Sequence, residues 1–255
     1  MDIRKWHERY STDCRSKYNS LSTHSSYESG VKLFLTKFEN YREPKEIPTQ
    51  EIKEWLLTAK TINTRKHLLC AVKSFYVLTV GMPNKIDRIP YPKKDRKLPI
   101  VLSQEEVQRM FSVCDNLKHK VVLALLYSCG LRVSELINLK WSNIDSGRMV
   151  INIIAGKGNK DRQVPLALKI MPLLEKYYRQ YKPITYVLNG QNSLQYPDRS
   201  VGEVMKQLAD KAGIKKRVYT HLMRHNCFTH MVENGVDIKL IQKVDGHSNV
   251  KTTDI

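Results

Sequence analysis

The sequence is short of acidic residues, of paired cysteines and of long apolar runs, and each shortage excludes something. Its 255 residues carry 25 Asp and Glu against 43 Lys and Arg, a formal net charge of +18 with a pI near 9.7. A chain so far from neutrality is matched to a polyanionic partner. The excess is not a tail. Residues 1–100 hold 20 basic and 11 acidic side chains, residues 101–255 hold 23 and 14, and each part therefore carries +9. Charge spread in this way suits a protein that wraps its partner. The five cysteines (Cys14, Cys70, Cys114, Cys129, Cys227) are odd in number and too scattered for CxxC or zinc-ligand spacing, so they read as reduced thiols. No run approaches the ~18 apolar residues of a membrane span, and the opening MDIRKWHERY lacks the apolar stretch of a signal sequence. The composition predicts a soluble, cytoplasmic chain. With 41% hydrophobic residues it can bury one large core or two modest ones.

The first part of the chain reads as helical from residue 26 onward. Residues 1–25 are polar, rich in Ser and Thr, and show little periodicity. Over 26–41, Tyr27, Val31, Leu33, Phe34 and Phe38 supply the apolar positions of a helix. Pro44 and Pro48 interrupt the chain, and a second helix is predicted from Thr49, as N-cap, to about Ala59, with Ile52, Trp55 and Leu56 as its stripe. A third is predicted over 63–80, where Leu68, Leu69, Val72, Phe75 and Tyr76 recur at helical spacing. Residues 61–80 contain Arg65, Lys66 and Lys73 and no acidic residue. A solvated helix face usually carries both signs, so this one suits a place beside nucleic-acid phosphates. Residues 81–99 hold four prolines and six Lys or Arg, among them Lys93, Lys94, Arg96 and Lys97. Such a segment predicts a stiff, basic, extended connector. The division is therefore a helical unit over 1–85, a linker over 86–100 and a second domain over 101–255.

The second domain opens with Ser103 and Glu106, a capping box ahead of Val107, Met110 and Phe111. A strongly apolar helix over 120–127 runs into SCGLRVSELINLKW, where Gly130 ends one helix and Val133 begins the next. Arg132 lies between Leu131 and Val133, and a buried charge there is costly unless paired. Glu135, three residues on, can orient it. That arrangement is either a local structural ion pair or an arginine held rigid to present its fork to an anion. Residues 149–154 and 162–166 are β-prone runs flanking a Gly/Asn-rich turn, a hairpin signal, with Lys157 between Gly156 and Gly158 on the turn. The segment GKGNK lacks P-loop spacing, which excludes a nucleotide-binding reading. Helices are predicted over 170–181 and 200–213, with loop or short strand between them. Lys211, Lys215, Lys216 and Arg217 form a basic cluster before the last motif.

That motif is THLMRHNCFTHMVENGVDIKLIQKVDGHSNVKTTDI, residues 220–255. His221 and Arg224 at i,i+3 share a helix face, and His247 follows in a Gly-His-Ser turn. Arginine forks match phosphate oxygens and imidazoles move protons near neutral pH.

Taken in order, GLRVSEL, GKGNKDRQVPL, HLMRH and GHSN-x-x-TT-D-I resemble the tyrosine recombinases of the phage integrase family, over residues 100–255. The resemblance implies a mainly α fold with a small β-sheet, in which a helical N-terminal core-binding domain and a mixed α/β catalytic domain form a C-shaped clamp on DNA. It implies Arg132 and Arg224 on the scissile phosphate, Lys157 as general acid, His221 in proton transfer, His247 hydrogen-bonded to the phosphate and Glu135 in support. Arg65, Lys66, Lys73, Lys93, Lys94, Arg96 and Lys97 are the DNA-binding candidates. No cofactor or metal is expected, since preorganised cations can stabilise charge on the phosphate oxygens. The implied partners are double-stranded DNA with inverted-repeat core sites and further copies of the chain in a tetramer. Two features depart from the pattern. Asp245 stands where the family has an apolar residue, and Asn226-Cys227-Phe228 is an unusual order. The family's nucleophilic tyrosine is expected just after Ile255, so residues 1–255 alone are expected not to cleave. The alternative readings are a type IB topoisomerase-like enzyme and a DNA-binding protein without catalysis.

The +9 on each part has a measurable consequence. Affinity for duplex DNA should fall steeply with salt, with a log–log slope corresponding to several released counterions. A flat plot would assign the charge another purpose.

Overall fold

The structure, a computed structural model, describes residues 1–93, 100–154, 161–191 and 193–245. Side-chain caps set the starts of the first helices. Asp2 accepts from the Lys5 amide and starts α1 (Ile3–Lys17), Ser20 caps α2 (Leu21–Lys37), and Thr61 caps α4 (Ile62–Phe75). Between them α3 (Thr49–Leu57) follows Pro48, which takes the N-cap place expected of Thr49. Helix α4 widens into a π-turn over Tyr76–Val80 and stops at Gly81, whose φ of +75° is a left-handed conformation that favours glycine. These elements enclose an aromatic core of Tyr10, Phe34, Phe75 and Tyr76. Helices α2 and α4 pack closely because Gly30 has no side chain; a Cβ there would sit 2.8 Å from that of Ala71.

Two expectations for this region are corrected. Residues 1–25 contain helix α1, whose burial is confined to Tyr10 and Cys14, one turn apart, with Trp6 packed beside them. Ile3, Trp6, Tyr10 and Cys14 recur at helical spacing, a stripe that the surrounding Ser, Thr and charged residues mask. The segment 81–99 is not extended throughout. Pro83 occupies the first turn of a short helix, α5 (Pro83–Asp87), and Ile86 and Ile89 are buried in the first core. Proline is favoured at that position because its missing N–H has no helical partner to lose. Residues 1–97 accordingly form one compact unit and residues 98–255 another.

In the second unit the predicted capping box is present. Ser103 accepts from the Glu106 amide, Glu106 accepts from the Ser103 amide, and α6 (Gln104–Ser112) follows. Helix α7 (Leu117–Ser128) is buried at every position from Val121 to Leu126, as befits a helix surrounded by others. It packs against α8 (Val133–Ile137), α9 (Met171–Tyr181), α10 (Asp198–Lys211) and α11 (Thr220–Glu233). Strands β1 (Ile144–Asp145), β2 (Val150–Ile153) and β3 (Arg162–Pro165) form an antiparallel sheet in that order, with Ile151 opposite Val164 and both buried. Helix α12 (Ile238–Asp245) packs on β3 and α11. The fold is mainly α with a small sheet. All five cysteines are free, and burial pushes Cys129 and Cys227 up to about 12, which removes them as nucleophiles at neutral pH. Among the described residues no helix is long and apolar enough to cross a membrane.

Helix α11 also fixes where the chain enters this unit. The buried Leu102 amide donates to Asn226 Oδ1 at 3.2 Å, and the Leu102 carbonyl accepts from His230 Nε2 at 2.8 Å. His230 is thereby a donor at Nε2, and its Nδ1 is hydrogen-bonded with the Tyr127 hydroxyl at 2.7 Å. Lys216 Nζ adds a bond to the Val101 carbonyl at 3.0 Å. Asn226→Ala leaves the Leu102 amide without its acceptor, which costs about 1–3 kcal/mol. Chemical denaturation should show that loss in the second unit's transition, with the first unit's unchanged.

Candidate active site

Gly130, at φ +56°, turns the chain from α7 toward α8. A Cβ at this position would lie 2.8 Å from Phe228 Cζ, so the residue is held to glycine by both backbone and packing. Two residues on, Arg132 is the N-cap of α8. Its amide donates to Glu135 Oε2 at 2.8 Å and its Nη1 to Glu135 Oε1 at 2.8 Å. The same carboxylate accepts two bonds from Arg162 on β3, Nη1 to Oε1 at 2.6 Å and Nη2 to Oε2 at 2.7 Å. A third guanidinium, that of Arg224 on α11, approaches Glu135 Oε2 at 4.0 Å. Arg224 is almost wholly buried, donates to the Gly130 carbonyl and stacks over the Phe228 ring with its Cζ 4.9 Å from the centroid. Phe228, part of the unusual order after the HxxRH segment, is therefore the platform beneath this arginine.

Three guanidiniums gather on the Glu135 carboxylate in a low-dielectric setting. Burial alone would raise the Glu135 carboxyl, but bonds from Arg162 and from the Arg132 amide and side chain outweigh it and hold the group at about 2. Arg224 is pushed down to about 9, first by burial and then by the Arg132 charge. It remains cationic at neutral pH, and an arriving anion would relieve the repulsion. Chemically, such an arrangement can receive an anion with its cations already in place. Among the described residues no group of three or more His, Cys, Asp or Glu side chains comes together to offer a metal site.

The predicted site residues fall into four sets. Arg132, Glu135 and Arg224 are brought together. His221 stands exposed in the first turn of α11, three residues before the buried Arg224. Lys157 and His247, with Lys94, Arg96 and Lys97, lie outside the described residues, as does the Asp245 side chain. In the first unit Arg65 is half-buried on α4, Lys66 is exposed, and Lys73 Nζ lies 4.5 Å from the Tyr91 ring centroid. Lys93 is exposed. Sequence reading passed over Arg162. The available signal was its place two residues before Val164, which puts both on one face of β3. Charge on a buried strand face needs a counter-ion.

A small sheet on a helical domain thus gathers arginines from three elements, α8, β3 and α11, on one carboxylate. The sequence pattern of the phage integrase family matches residues 101–255, and this chain belongs to that family, the tyrosine recombinases. Over 93% of its length it is 32% identical to a tyrosine recombinase of Thermosipho africanus, covering 88% of that protein. It is 35% identical to tyrosine recombinase XerA of Pyrococcus horikoshii, over 76% of this chain and 69% of the relative. Among solved structures it is similar to XerA recombinase, with 28% identity, a TM-score of 0.58 and coverage of 98% of this chain and 92% of that one. The fold also matches a lambda integrase dimer bound to a COC′ core site, with a TM-score of 0.82 and 16% identity over 98% of this chain and 96% of that one.

The depressed Glu135 carboxyl makes a pH prediction. Its folded value lies below the ordinary 4.5, so the stabilisation is complete above that value and is lost as pH falls toward about 2. The contribution is on the order of 3 kcal/mol. Denaturation midpoints of the second unit should fall through this acid range, and Glu135→Gln, less stable at neutral pH, should flatten the dependence.

Proposed function

We propose that this protein is a site-specific DNA recombinase that cleaves and rejoins DNA through a covalent 3′-phosphotyrosyl intermediate without a metal ion. The observation that carries the reading is the gathering of Arg132, Arg162 and Arg224 around Glu135 in a domain of the phage integrase family. Attack on a phosphodiester concentrates negative charge on the non-bridging oxygens, and fixed guanidiniums stabilise that charge with little reorganisation. In this reading Arg132 and Arg224 bind the scissile phosphate, and Glu135 keeps Arg132 in place. The nucleophile is a tyrosine following Ile255. Its oxygen bonds to phosphorus as the bond to the 5′ oxygen breaks. Lys157 gives that oxygen a proton, His221 assists proton transfer, and His247 hydrogen-bonds the phosphate. Arg65, Lys66, Lys73, Lys93, Lys94, Arg96 and Lys97 contact the DNA backbone. The substrate is duplex DNA with inverted-repeat core sites, engaged by four copies of the chain. The first compact unit, residues 1–97, is the core-binding domain, and the second, residues 98–255, carries the catalytic domain.

The test is a nicked suicide substrate incubated in EDTA with residues 1–255 and with the chain carried through the following tyrosine. Both should bind DNA, and only the longer should leave a covalent adduct on a denaturing gel. Arg132→Ala and Arg224→Ala in the longer chain should lower adduct formation by on the order of a hundredfold or more while largely keeping affinity, which rests on the many other cations. Adduct at wild-type rate in either variant, or an adduct on an internal tyrosine of the shorter chain, would sink the assignment. Relaxation of plasmids lacking any recombination site would favour a type IB topoisomerase-like activity instead.

A further inference from the structure

Arg162 is the one guanidinium of the cluster to which the reading above gives no task. Its side chain is 8% exposed, on the face of β3 that also carries Val164. Its two terminal nitrogens grip both oxygens of Glu135, at 2.6 and 2.7 Å. Its Nε donates to the Val244 carbonyl at 2.8 Å. Val244 lies in the last turn of α12, where helical carbonyls have no partner within the helix and where a cation is favoured. It stands three residues before His247 in the sequence. One planar group thus joins three elements, β3, α8 and the end of α12, at fixed angles that a lysine ammonium could not reproduce.

We propose that Arg162 is a positioning residue for strand cleavage: by holding both Glu135 oxygens and the end of α12, it limits the carboxylate to its present bonds with Arg132 and keeps it from closing on the Arg224 guanidinium 4.0 Å away, Arg132 and Arg224 being the two arginines that receive the phosphate. The inference rests on the recombinase reading. A carboxylate has about four acceptor sites. Arg162 occupies one on each oxygen, and the Arg132 amide and side chain take one more on each. With Arg162 removed, two acceptor sites open beside two arginines, and Glu135 competes with the phosphate for their donors. The α12 end loses its tie in the same step. The charged groups facing Glu135 among the described residues are Arg132 from its own helix, Arg162 from β3 and Arg224 from α11.

The experiment uses the chain carried through its tyrosine and measures single-turnover adduct formation, DNA affinity and thermal unfolding together. Arg162→Lys keeps charge and approximate length and carries the test should Arg162→Met fail to fold. The expected result is a fall in the cleavage rate of roughly tenfold to a hundredfold at saturating DNA, with affinity little changed. Glu135→Gln weakens the competition, so the Arg162→Lys loss should shrink in the Glu135→Gln background. A merely structural arginine gives other results. Cleavage per folded molecule would stay at the wild-type rate, or the two substitutions would add without interaction, and either result overturns the proposal. Absence of any adduct from the wild-type chain overturns the recombinase reading and the Arg162 role with it. A normal wild-type adduct beside an unaffected Arg162→Lys overturns the Arg162 role alone.

Discussion

Glu135 accepts from Arg132 at 2.8 Å and from Arg162 at 2.6 and 2.7 Å while Arg224 stands 4.0 Å away, and the placement of three guanidiniums from α8, β3 and α11 depends on this one buried carboxylate. Removing one partner of so buried a pair leaves the other charge uncompensated, so the cluster stands or falls as a unit.

Such a cluster can exist only because its surroundings are rigid. Arg224 has the Gly130 carbonyl at its Nη1 and the Phe228 ring beneath it, while Gly130 in turn leaves room for that ring. The fit is mutual, since an added methyl group at 130 would displace Phe228 and with it the face on which Arg224 rests. Positions of this kind have no chemistry of their own, yet they decide where the charged atoms stand.

What could be read from the sequence was whatever depended on neighbours. Arg132 and Glu135 are three residues apart, so the pair that the structure shows was visible as a spacing. The Ser103–Glu106 capping box, the apolar run of α7 and the β-hairpin announced themselves in the same local way. Helix α1 was local too, with Ile3, Trp6, Tyr10 and Cys14 at helical spacing, but the polar residues between them outweighed so sparse a stripe. Arg162 did not announce itself in this way. Its partner lies 27 residues away, and its other contact, the Val244 carbonyl, lies 82 residues away. A charged residue in a strand reads as solvent-facing until something shows which face is covered. The short helix over Pro83–Asp87 was hidden for a third reason. Proline density suggests an extended chain, and only the burial of Ile86 and Ile89 shows that the segment belongs to a core.

The bonds that seat Leu102 on α11 span 124 and 128 residues, and the arginine cluster draws on residues from 132 to 244. Contacts of such separation carry the largest loop-closure cost and form late in folding. During synthesis the chain emerges from its N-terminus, so the first unit and α6 to α8 are complete before Arg224 exists to join them. A partly made chain can thus present basic surface but not the assembled arginine cluster. The order of translation itself withholds that cluster until α11 and α12 have joined the rest of the domain.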